Sequence, residues 1–197
     1  MADEDWETIP LLIKRLVEEG HQFSFFQAVL LLEKYCSSIR KIANIGQDGP
    51  PSLECIRFQS DPSLAFPISD IASIKEIEDA QNPPKFQIIT TFLGLYGPDS
   101  PLPDFYTEEI IQNDKDDTNV KDFLDIFHHR IMSLFYRAWL KYRYYLQFEP
   151  EGKDDFSRRI FSLIGMGTQG ITGELDIPAI RLLRYIGLFM QQNRSAL

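Results

Sequence analysis

A chain of 197 residues can hide roughly 70% of its unfolded surface, so it can form one large domain or two small ones without covalent staples. Its 20 Lys and Arg against 29 Asp and Glu leave a formal charge of -9, which argues against nucleic acid, a partner that demands a basic face. Two cysteines, an acidic start at Met1–Asp5 and no apolar run of the roughly 18–20 residues a bilayer needs predict a cytosolic protein with reduced, structural thiols.

Ile9 to Glu19 reads as an amphipathic helix with Ile9, Leu12 and Leu16 on one side, ended by Gly20. Ser24 offers an N-cap for a second helix running to about Ser37, with Phe26, Val29, Leu30 and Glu33 at helical spacing. Gly46 to Pro51 is a turn. The period then changes. Leu53–Gln59 alternates as a strand, Ile71–Ile77 does so more weakly, and Phe86–Phe92 is rich in β-branched and aromatic residues. Asn82-Pro83-Pro84 separates the last two, so they are expected to pair as an antiparallel hairpin in a sheet that needs a helix across it.

Gly94 to Pro103 holds two glycines and three prolines and is expected to be a stiff, irregular loop. A short helix follows at Tyr106–Gln112, then a polar break at Asn113–Asn119. The longest element is expected from Val120 to Phe148, about 43 Å of helix. Phe123, Leu124, Phe127, Ile131, Leu134, Phe135, Ala138 and Trp139 make it apolar over more than half its circumference, which predicts a central or sandwiched helix. Arg130, Arg137 and Lys141 share the remaining face. Asp154 is a cap for a helix from Phe156 to Ile164, the 165–173 stretch is turn-forming, and Ile177–Gln192 is a last amphipathic helix.

Reactive constellations are scarce. Gly165-Met166-Gly167-Thr168-Gln169-Gly170 matches the spacing of a pyrophosphate-binding loop, but it follows a helix pattern where that chemistry requires a strand, so it reads as a turn. His128 and His129 are adjacent and point about 100° apart on a helix, so the two cannot chelate one ion from one face. Asp122, Asp125 and His129 do share a face at spacings of three and four, and a metal-dependent hydrolase built on them is the alternative functional reading. No nucleophile motif occurs, and both cysteines lie in hydrophobic patterns.

Four stretches in series carry a specific resemblance. They are Phe25-Phe26-Gln27-Ala28-Val29 with Leu31-Leu32-Glu33, then Ile56-Arg57-Phe58 with Ser60 and Ser63-Leu64-Ala65-Phe66-Pro67. Next come Phe92-Leu93-Gly94-Leu95-Tyr96-Gly97-Pro98 with Pro101-Leu102-Pro103 and Tyr106-Thr107-Glu108. Last is Asp122-Phe123-Leu124-Asp125-Ile126-Phe127 with His129-Arg130, continuing through Leu134-Phe135-Tyr136-Arg137-Ala138-Trp139 and Lys141-Tyr142-Arg143. In order and spacing this resembles the TssG family (also called ImpH or VasB), baseplate subunits of the bacterial type VI secretion system, over nearly the whole chain. Where the family usually has Asn before the His-Arg pair, this chain has His128.

The resemblance implies a scaffold that joins two copies of TssF into a baseplate wedge. It also implies connection through TssK to the membrane complex at the inner face of the inner membrane, and no catalytic residues, cofactor or small-molecule substrate. Family members are longer, so residues 1–197 are expected to be an N-terminal portion. The expected fold is α+β, with several helices around a long central one packed with a small antiparallel sheet. Partner contacts are expected on the proline-stiffened loop and the long helix, at Leu95, Tyr96, Leu102, Phe105, Tyr106, Arg137 and Trp139, because a preordered apolar loop loses little entropy on docking.

Overall fold

A computed structural model describes residues 4–39, 42–47, 49–50, 53–77, 84–113, 119–148 and 154–163, with positions 165, 181 and 184. The expected helix at 177–192, most of the glycine-rich 165–173 stretch, the polar break at 114–118 and the prolines at 51 and 83 lie outside the described residues. The chain divides into two compact units, Met1–Ala138 and Trp139–Leu197.

In the first unit, α1 spans Glu4–Glu18 and a 3-10 turn Gly20–Gln22 follows it. Ile13 and Leu16 are its buried residues among those with described side chains, while Leu12, expected inside, is exposed. Leu16 is thus buried as expected, and the stripe turns only partway, from Leu12 toward Ile13. Helix α2, Phe25–Ile39, buries Phe25, Ala28, Val29, Leu32 and Cys36, a stripe at helical spacing.

Three strands follow: β1 at Ile56–Ser60, β2 at Ile71–Ile77 and β3 at Lys85–Thr90. Their order is β1-β3-β2. The β2–β3 pair is antiparallel as expected, but β1 pairs with β3 in parallel, so the sheet is mixed where an all-antiparallel one was expected. The cause is the connection between β1 and β2, which crosses the end of β3 to reach its far side. There Asp61 N–H donates to Thr90 O at 2.9 Å and Thr91 N–H donates to Asp70 O at 3.1 Å. Period-2 patterning cannot report such a crossing.

One face of the sheet is core. Ile56, Phe58 and Ser60 stand opposite Phe86, Ile88 and Thr90, and all six are buried. Phe25 lays its ring 5.6 Å from Phe58, and Tyr35 meets Phe86 at 6.1 Å, so α2 covers this face. Arg57, Gln59, Lys75 and Gln87 alternate onto the other face, where Gln87 donates to Gln59. Burying one side and wetting the other is how such a small sheet is kept in register.

Helix α3, Asp104–Asn113, buries Thr107 and Ile110. Helix α4 runs over Asn119–Lys141, 23 residues or about 34 Å, and stops seven residues short of the expected Phe148. Within the second unit the reason is local. Arg143 Nη1 donates to the Trp139 carbonyl at 3.2 Å and Gln147 Nε2 to the Leu140 carbonyl at 2.6 Å, so side chains satisfy acceptors at the helix end. A single turn, α5, spans Tyr144–Gln147. Helix α6, Asp155–Leu163, starts where Asp154 Oδ2 accepts the Ser157 N–H at 2.9 Å, the cap expected from sequence. Among the described residues no helix is long and apolar enough to cross a membrane. Six helices and a small mixed sheet among those residues make the fold α+β.

Candidate functional site

Helix α4 is inside out relative to its composition. Its buried residues are Asp125, His128, Met132, Ser133 and Tyr136, a mostly polar stripe. Its apolar residues are largely exposed, with Phe123 at 59%, Ile126 at 62% and Phe127 at 49% accessible, and Ile131 and Leu134 open beside them. A helix that presents such residues to water has a surface for something else to cover.

The buried stripe is polar because the sheet edge beneath it needs hydrogen-bond partners. Strand β1 is an edge strand whose outer backbone groups would otherwise be unpaired. The Phe58 N–H donates to His129 Nδ1 at 3.2 Å, and the imidazole stacks on the Phe58 ring with centroids 5.7 Å apart. Because Nδ1 accepts, the neutral ring carries its proton on Nε2, which faces the Glu54 carboxylate at 3.3 Å. Two residues on, the Ser60 carbonyl accepts from Tyr96 Oη at 3.1 Å, and Ser60 Oγ donates to the Tyr96 carbonyl at 3.1 Å. Tyr96 Oη also lies 2.6 Å from Asp125 Oδ1, which pins α4 to the loop. His128 Nε2 meets Thr90 Oγ1 at 2.9 Å. Tyr136 donates to Glu33 at 2.7 Å, and Arg137 donates to the Gly46 carbonyl at 2.9 Å.

Burial governs the titration of this seam. It pushes the His128 pKa down from 6.5 to about 4, against the pull of the nearby Leu93 and Gln59 carbonyls. His129 is also lowered, first by burial; Glu54 opposes the shift, while Arg57 and Arg130 reinforce it. Asp125 is raised, because desolvation outweighs its bond from Tyr96. Asp125 Oδ2 and His128 Nδ1 are buried without a hydrogen-bond partner, so the seam is only partly satisfied.

Two backbone positions hold the seam closed. Gly46 has a φ of 73°, and a Cβ there would stand 2.9 Å from the Ser133 carbonyl oxygen on α4. A Cβ at Gly94 would overlap Ser60 Oγ and the Tyr96 carbonyl. Between Gly94 and the sheet, Leu93 holds a φ of 53°, a region that costs a branched side chain energy, and its side chain is exposed.

The residues expected to dock partners are scattered. Tyr96 is 1% accessible and belongs to the seam, so it supports the loop from inside. Leu95 and Leu102 are half-buried. Phe105 is exposed and lies against half-buried Tyr106, with centroids 4.1 Å apart. Arg137 is exposed on α4. In the second unit, Trp139 is half-buried with the Arg143 guanidinium 4.1 Å over its ring.

The structure does not assemble the metal site considered for Asp122, Asp125 and His129. Asp125 turns into Tyr96, His129 turns onto β1, and Asp122 is exposed. Shared helical phase brought the three Cα atoms to one side, but each buried side chain is committed to a different neighbour. Among the described residues, no group of three His, Cys, Asp or Glu could hold a metal ion.

Sequence reading also missed a cleft of about 320 Å³ lined by His21, Asp61, Phe66, Ile68, Thr91 and Pro98 among others. Its rim carries Phe66 at 90% and Ile68 at 99% accessible, on the segment that crosses from β1 to β2. The apolar Phe66-Pro67-Ile68 run outside any periodic element was the available signal.

Comparison with known proteins gives one clear match. No curated protein and no solved structure matches the chain significantly. The family model described as "Type VI secretion, TssG" matches residues 19–197, which takes in every structural feature above except α1. The chain belongs to the TssG family of type VI secretion proteins.

Proposed function

We propose that this chain is a structural scaffold subunit of the type VI secretion baseplate wedge, binding TssF-like and TssK-like proteins and so supporting sheath and tube assembly. The family match over residues 19–197 carries the reading. The apolar outer side of α4 supports it, since a subunit built into an assembly keeps such surface for its neighbours. The chain acts without catalysis, cofactor or small-molecule substrate, in the cytoplasm at the inner face of the inner membrane. Leu95, Leu102, Phe105, Tyr106, Arg137 and Trp139 contribute contacts, with Tyr96 holding the loop in shape.

Co-expression of the chain with its TssF-like and TssK-like counterparts, followed by affinity capture and size-exclusion chromatography, tests this. A co-eluting complex of defined stoichiometry is the expected result. Two well-folded partners that elute apart from the chain would overturn it.

A further inference from the structure

We infer that the cleft beside the β1–β2 crossing binds a guanidinium, the side chain of an arginine presented by another protein. This deepens the scaffold reading and rests on it for the source of the arginine.

The cleft is built from fixed parts of the first unit. The segment from Asp61 to Asp70 is tied to the end of β3 at both of its own ends, by the Asp61–Thr90 and Thr91–Asp70 backbone bonds. The proline-stiffened loop comes close to this segment at Gly97, whose φ is 109° and where a Cβ would stand 3.1 Å from the Asp61 carbonyl oxygen. The Gly97 N–H is held in turn by Thr107 Oγ1 at 3.1 Å. Pro67 and Pro98 line the cleft, and their rings lock the backbone there. A site whose walls are held before binding loses little entropy when it is filled.

Size and hydrogen-bond chemistry select the occupant. A volume of about 320 Å³ is at the low end for a ligand site, room for one long side chain and not for a dinucleotide. Ser69 Oγ donates its proton to the Ile71 carbonyl at 2.8 Å, and Thr91 Oγ1 donates to the Ser69 carbonyl at 2.5 Å. With those protons spent, both oxygens can only accept from a ligand. Asp61 adds a carboxylate that enters no ion pair or side-chain hydrogen bond among the described residues. No lysine or arginine lines the cleft among those residues, and His21 is the one lining group able to carry positive charge.

These acceptors rule out the other occupants. An anion would face the Asp61 carboxylate, and a wholly apolar side chain would bury that carboxylate unpaired. One carboxylate and one imidazole are too few ligands for a divalent ion. A guanidinium meets every requirement. It donates in a plane to carboxylate and hydroxyl oxygens, and its flat face stacks on an aromatic ring such as that of Phe66, which lines the cleft and is 90% accessible. An ammonium also pairs with a carboxylate, but it is more strongly hydrated and has no flat face to lay on the ring.

The test uses the full 197-residue chain at pH 8, where a free imidazole is neutral. Amide NMR follows titration with three probes: N-acetyl-arginine amide and its lysine and norleucine counterparts. Saturable shifts confined to the amides around Asp61, Phe66 and Thr91 are expected with arginine, severalfold weaker binding with lysine, and none with norleucine. Asp61→Asn and Phe66→Leu are each expected to weaken arginine binding severalfold at an unchanged melting temperature, and Phe127→Ser to leave it intact. In a second arm, Asp61→Asn is expected to weaken capture of the TssF-like or the TssK-like protein. Arginine shifts scattered over the acidic surface, equal binding by norleucine, or full arginine affinity in Asp61→Asn overturns this inference and leaves the scaffold reading standing. Capture of both proteins at full affinity by Asp61→Asn does the same. A wild-type chain that captures neither protein sinks the scaffold reading and the arginine's source with it, even where the capped arginine binds the cleft.

Discussion

An imidazole that accepts a hydrogen bond from a backbone N–H cannot also be protonated on that nitrogen. His129 is in this position beneath Phe58, so protonating it uncaps the β1 edge. His129→Ala leaves the Phe58 N–H without its acceptor and is expected to cost about 1–3 kcal/mol in denaturant unfolding. The same logic sets a pH dependence. His128 titrates near 4 when folded, so between about pH 4 and 6.5 the unfolded chain binds more protons there. That contribution is complete above pH 6.5 and is lost as pH falls through the window, roughly 3 kcal/mol, and His129, also lowered by burial, acts in the same direction. Asp125, raised by burial, runs the other way: its contribution is present at low pH and lost as pH rises through its folded pKa. Unfolding free energy measured against pH should therefore fall toward acid, and fall more steeply in Asp125→Asn, where the opposing group is gone. Gly46→Ala forces a left-handed φ and drives a methyl into the Ser133 carbonyl; a loss of at least 1 kcal/mol is expected in the same assay.

Helix α4 has a buried side and an exposed apolar side. Met132 is fully buried, and Met132→Ala is expected to cost about 2–4 kcal/mol by the cavity it leaves. Phe127→Ser and Ile131→Ser, on the outer side, should each shift stability by less than about 0.5 kcal/mol, which thermal melts would resolve. An equal loss at both faces would mean that the outer ridge is packed. The helix was expected from Val120 to Phe148 by its periodic apolar residues, and it is found over Asn119–Lys141. Its orientation was not expected. Hydrophobic content counts apolar positions without saying which of them meet the sheet, and here β1 called for acceptors and donors more than for methyl groups.

For the molecule as a whole, charge and stability meet in acid. The sequence pI is about 4.8, so net repulsion between chains fades over the same range in which the histidine seam loses its contribution. With the α4 ridge exposed throughout, light scattering should rise as pH is lowered from 7 toward 5, and Phe127→Ser with Ile131→Ser should blunt that rise. Scattering that is independent of the ridge would place the association elsewhere, for instance at Phe66 and Ile68.

Local patterning was enough to read α2, the hairpin strands β2 and β3, the Asp154 cap and the irregular Gly94–Pro103 loop, because each depends on neighbours within a few residues. The motif series from Phe25 to Arg143 also carried the family, since order and spacing survive without coordinates. Long-range facts needed the fold. The parallel pairing of β1 depends on a chain crossing over β3, and the fate of Tyr96, Asp125 and His129 depends on which edge groups that crossing leaves bare. A carboxylate and an imidazole four residues apart look like a ligand pair in one dimension. Three dimensions supply each with a nearer partner, and the energy of an unpaired backbone group decides which one it takes.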